Sequence, residues 1–172
     1  GALAAQAAYF DELVQKVHVP AGQDLIWGGH VTEAGDAFTE VRLSDNQGFW
    51  TSAYAASQAY RYRATGEPAA LDNAKRALHG VHDLLRMTGV PGLFARSSVK
   101  PGLPAFPDAE AMRSLYPDCD LEVAHCKRWI EVTDGEFAGT FWKNDVSKDE
   151  YSSHMFAMGV LAELLDDAEV RA

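Results

Sequence analysis

The chain is expected to be mainly α-helical, built from helical hairpins joined by long loops. Three observations lead there. Apolar residues recur every three or four positions through several long segments, the period of a helix with one buried face. Two of these segments are separated only by Gly66-Glu67, with Pro68 opening the second, which is the punctuation of a tight helix–turn–helix. The remaining stretches are rich in Gly, Pro and aromatic residues and run too long for ordinary connections.

In chain order, Ala2 to Val17 reads as a helix with Leu3, Phe10, Leu13, Val14 and Val17 on its period, closed by Pro20 and Gly22. Residues 24–48 read as irregular, with one strand-like piece at Glu40–Leu43. Trp50–Thr65 and Pro68–Thr88 form the hairpin. The second of these carries the clearest stripe: Leu71, Ala74, Leu78, Val81 and Leu85. Gly92 to Asp108, with Pro101, Pro104 and Pro107, reads as an extended loop, and Ala109–Tyr116 as a helical turn. Asp134-Gly135 between Trp129–Val132 and Thr140–Lys143 signals a small β-hairpin. Ser147–Asp166 is the last long helix, and Val170–Ala172 the stub of another. No linker divides the chain, so residues 1–172 read as one helical-hairpin domain. A hairpin of this kind cannot bury both faces alone and calls for neighbours.

Composition narrows the functional classes. Apolar residues make up 47% and charged residues 23%, the balance of a globular protein with a real core. The net charge is −10, which argues against nucleic acid as a partner, since phosphate recognition needs a cationic surface. No apolar run approaches the ~20 residues that span a bilayer, so no membrane partner is expected. Gly1 to Val17 lacks a basic start and contains Gln6, Asp11 and Glu12, unlike a signal peptide. The missing initiator Met fits a processed product or an excerpt. Cys119 and Cys126, seven apart beside His125, are compatible with free thiols, with a disulfide or with metal ligation. The CxxC spacing and fourth ligand of a zinc site are missing.

Three clusters carry residues suited to chemistry. Asp45 and Asn46, with Trp50 a turn later, bring together a carboxylate, an amide and an aromatic ring, the groups that a sugar site uses for proton transfer, hydroxyl recognition and stacking. Helix capping explains Asp45 and Asn46 equally well. Arg96, after an apolar run and before Ser97-Ser98, fits binding a carboxylate or organising an Asp bidentately, and equally an exposed structural role. Trp142 to Glu150 holds Asp145, Asp149 and Glu150, with His154 one turn into the helix. Ser147 and Glu150 match a capping box, while Glu150 and His154 share one helix face. Neither an H-E-x-x-H arrangement nor a calcium loop is present, and no cofactor or metal is expected.

Taken together, Asp45–Tyr54, Arg61–Leu71 and Gly89–Ser97, extended by Trp142–His154, resemble bacterial proteins with six-hairpin glycosidase-like (α/α) toroid domains. These are related in fold to unsaturated glucuronyl hydrolases and to (α/α) polysaccharide lyases. The resemblance covers residues 40–97 and 140–166. It implies an (α/α)6-toroid type of fold, partial or incomplete, because twelve helices make a full ring and about four are legible here. Another chain or a missing segment would complete it. It also implies a carbohydrate-active domain acting on an oligo- or polysaccharide, in an extracellular or periplasmic setting. As a glycoside hydrolase, Asp45 with Asp145 or Asp149 would supply the acid and base. Asn46, Trp50, Arg96, Trp142 and His154 would bind substrate. A polysaccharide lyase would instead use His154 or Tyr54 as base, and a non-catalytic helical-repeat module would use none of these groups.

Overall fold

The computed structural model describes residues 1–115 and 127–171. Cys119, His125 and Cys126 lie outside the described residues. The chain begins with α1 (Ala2–Leu13), which continues into one π-helical turn at Val14–His18. Two short strands follow, β1 (Gly28–Val31) and β2 (Phe38–Arg42), paired antiparallel. Then come α2 (Gln47–Thr65) and α3 (Pro68–Arg86). The next elements are β3 (Ser97–Val99), α4 (Ala109–Ser114), β4 (Trp129–Glu131) and β5 (Phe141–Lys143). The chain closes with α5 (Lys148–Leu164) and α6 (Ala168–Arg171).

The helical hairpin forms as its punctuation dictates. Gly66 takes a left-handed φ of 69° and donates its N–H to the Tyr62 carbonyl at 2.8 Å, while Pro68 starts α3 where no N–H is needed. The stripe buried on α3 lies one residue round from the expected one: Ala70, Ala74, Ala77, Val81 and Leu84 face inward, and Leu71 and Leu78 flank them half-buried. Small side chains at the contact let α2 and α3 approach closely, and the leucines seal the edges. α5 lies against the other side of α2, parallel to it. Gly48 and Ser52 meet His154 near the start of both helices, and Ala59 shares a core with Leu161 and Leu165 near the end. α1 buries no residue and is held to α2 by polar contacts, with Tyr54, Gln58 and Arg61 all donating to the Asp11 carboxylate.

The expected toroid is not what forms. Among the described residues, six helices, about 51% of the protein, stand beside two small antiparallel sheets, which makes it a small mixed α/β protein. A toroid needs successive hairpins stacked side by side, and among the described residues only α2–α3 is a long antiparallel pair. After it the chain turns into a three-stranded sheet of order β3-β5-β4. One of the cores is built almost wholly from strands and loops: Trp27, Val41, Val99, Met112, Trp129 and Phe141. The residues between α3 and α5 thus bury apolar side chains of their own, with α4 against β4, where a toroid would have another helix pair.

Candidate functional site

The parallel packing of α2 and α5 brings two helix starts together, and β3 and β5 run beside them. Arg96, just before β3, sits at the centre. Its Nε donates to the Asp45 carbonyl at 2.6 Å and its Nη1 to the Asp145 carbonyl at 2.7 Å. The same guanidinium lies 3.5 Å from the Asp145 carboxylate and 3.5 Å from that of Glu150. Asp145 adopts a left-handed φ of 62°, a conformation L-residues rarely take, and Arg96 pins its carbonyl there.

Asp45 sits before α2 and receives two ammonium groups, Lys127 at 2.8 Å and Lys143. Lys143 is almost fully buried, with its ammonium 5.5 Å from the Trp129 ring, so Asp45 is the counter-charge that makes its burial tolerable. Partial burial alone would raise the Asp45 carboxyl. The Lys127 and Lys143 hydrogen bonds outweigh it and bring the group down to about 2. Glu150 behaves oppositely. It has no exposed surface, burial pushes it up, and Arg96 pulls it back only partly, leaving it at about 7. One of its oxygens accepts the Ser147 N–H at 3.5 Å, as a capping box requires, and the other has no hydrogen-bond partner.

Behind this layer lies a fully enclosed one. His154 bonds Ser52 through Nδ1 at 2.8 Å and packs against Phe94 with the rings tilted by 37°, 4.4 Å between centroids. Burial lowers it to about 4, and its Nε2 has no partner. Gln47 accepts the Ser98 N–H at 2.8 Å, and its side-chain amide nitrogen has no partner. Gly48 is required here, because a Cβ would lie 2.7 Å from His154 Cε1 and 3.0 Å from Leu84.

The fold thus brings together Asp45, Arg96 and Asp145 from the expected set. Asn46 is the N-cap residue of α2 but makes no side-chain cap bond, so capping does not account for its amide. Trp50, in the first turn of α2, is 54% exposed and meets Phe49 edge-on. Asp149 is exposed in the first turn of α5. Trp142 is buried with Leu25, Leu84, Met87 and Ala95, and presents no open face. His154 is enclosed in helix packing. Sequence reasoning missed Lys143, Gln47 and Lys127 as members of the site, and it took Glu150 for a cap. The spacing of Glu150 and His154 on one helix face was the available signal. Among the described residues no group of three or more His, Cys, Asp or Glu is placed to hold a metal ion, and no helix is long and apolar enough to cross a membrane. Compared with known proteins, the chain matches no family model, no curated protein and no solved structure.

Proposed function

We propose that the chain is a carbohydrate-active domain, acting as a glycoside hydrolase through the carboxylates that Arg96 organises. The observation that carries this reading is a single guanidinium holding the Asp145 and Glu150 carboxylates and the Asp45 and Asp145 carbonyls. Glycoside hydrolysis needs one carboxyl that gives a proton and one that stays ionised, and environments that push neighbouring carboxyls apart create that division. Asp45 is held anionic by its lysines. Asp145, partly open to solvent and held by Arg96, is the second carboxyl of the pair in this reading. Glu150 cannot touch substrate from its enclosed position and acts through Arg96, its protonation setting how strongly the guanidinium is drawn from Asp145. Trp50 offers its exposed ring to the apolar face of a sugar. The lyase alternative is set aside, because His154 is enclosed in helix packing and the Tyr54 hydroxyl is committed to Asp11.

A second reading rests on the two lysines on Asp45. A carboxylate so neutralised is a weak base and nucleophile, which favours a domain that binds glycan without cleaving it. Reducing-end release from a panel of neutral and uronic-acid glycans separates the two. Hydrolysis that falls between about 10²- and 10⁴-fold in both Asp45→Asn and Asp145→Asn supports catalysis. Glycan binding that persists in both variants, without reducing ends from wild type, sinks it.

A further inference from the structure

A second polar site lies in a cavity of about 150 Å³ between the loop after the π-helical turn, α3, the end of β3 and the β4–β5 turn, sharing Ser98 with the layer behind Arg96 but none of the charged residues there. Its most informative wall group is Gln23. That side chain is 7% exposed, and its amide nitrogen is a buried donor with no hydrogen-bond partner. A buried donor left unmade costs free energy, and filling the cavity with an acceptor recovers it. The wall is built in rather than incidental. A Cβ on Gly80 would come within 2.0 Å of the Asp24 carbonyl oxygen, so glycine in α3 is what lets the Gln23–Asp24 backbone lie flat on the helix.

The other lining groups select the ligand by charge. Asp24, Asp83 and Glu136 bring three carboxylates, Asp24 tied to Arg76 at 2.7 Å and both Asp83 and Glu136 tied to Arg86. Pairing leaves that wall rich in acceptor oxygens and nearly balanced in charge, which gives a simple anion little to bind. Lys100, exposed at the rim, and the unpartnered Gln23 amide line the cavity as donors and disfavour a metal cation. Ser98 and Thr140 add hydroxyls, and Phe137, whose ring carries the Arg86 guanidinium at 5.2 Å, adds an aromatic edge. Donors, acceptors and a ring in one small cavity match a molecule whose groups both donate and accept and which carries no charge.

We propose that this cavity binds a neutral polyhydroxylated ring of monosaccharide size, with Gln23 and Lys100 donating to its oxygens and Asp83 accepting from its hydroxyls. The site stands whether or not the Arg96 cluster is catalytic. The test is an NMR titration of the isotope-labelled chain with D-glucose, D-galactose and D-mannose, beside inorganic phosphate and magnesium ion. At least one neutral sugar is expected to move the Gln23 side-chain amide saturably. Gln23→Leu should weaken that binding about tenfold, the worth of one buried hydrogen bond. Lys100→Ala, a rim change that leaves folding alone, should weaken it about threefold. The proposal is overturned if no neutral sugar shifts the cavity residues, if phosphate or magnesium alone saturates them, or if Lys100→Ala binds as wild type does.

Discussion

The two ends of the α2–α5 pair are built on opposite principles. Near their C-terminal ends the helices meet through Ala55, Ala59, Leu161 and Leu165, with Ala74 and Ala77 of α3 completing a dry contact. Near their N-terminal ends the same helices enclose Gln47, Ser52, Glu150 and His154, and three of these four leave a buried polar atom unpartnered. Apolar packing of the first kind stabilises the fold. Unpartnered polar burial of the second kind costs about 1–3 kcal/mol per group. A helix pair that could have been dry along its whole length encloses these polar groups near the end where Arg96 lies. Local departures from good packing gather at working sites, and this one marks where function is to be sought.

The sharpest way to break the contrast is at the dry end. Leu161→Ala removes a side chain with 1% exposure and should cost about 4 kcal/mol of unfolding free energy in chemical denaturation.

At the polar end the test is pH. Glu150 is raised from 4.5 to about 7 on folding, so its contribution is full below 4.5 and lost as pH climbs through 7. His154 is lowered from 6.5 to about 4, so its contribution is full above 6.5 and lost as pH falls through 4. Between 4.5 and 6.5 the two slopes oppose each other, and wild-type stability should be nearly flat. Glu150→Gln unmasks His154, and stability should then rise with pH across that window by on the order of 3 kcal/mol. His154→Gln should reverse the sign. Denaturation midpoints at several pH values check both, and a flat profile in either variant refutes the opposed pair.

Gly48→Ala forces a methyl group into His154 and Leu84 and should cost about 2 kcal/mol, between the two regions in effect because the helices can part slightly. Lys127→Ala is the smallest. Its side chain is 41% exposed, and loss of its pair with Asp45 should cost about 0.5 kcal/mol or less, weakening further in high salt.

The sequence by itself determined the helices and their punctuation, because the period of apolar residues and the local demands of Gly66, Pro68 and Ser147 act within a few residues. The β4–β5 pair followed from Asp134-Gly135 in the same way. β1 and β3 were read as loop, since Gly28-Gly29 and Ser97-Ser98-Val99 have no alternation of their own and become strands only by pairing with β2 and β5. The fold class was overturned for the same reason: similar hairpin segments serve a ring or a single hairpin beside a sheet, and local pattern cannot choose between them. Asp45, Arg96 and Asp145 were legible as polar residues in unusual loops. That Lys143 would be buried against Asp45, that Glu150 would lose its solvent, and that Trp142 would turn inward to Leu84 were decided only by the tertiary structure. Burial and charge pairing depend on residues some fifty to a hundred positions away, which no local spacing encodes.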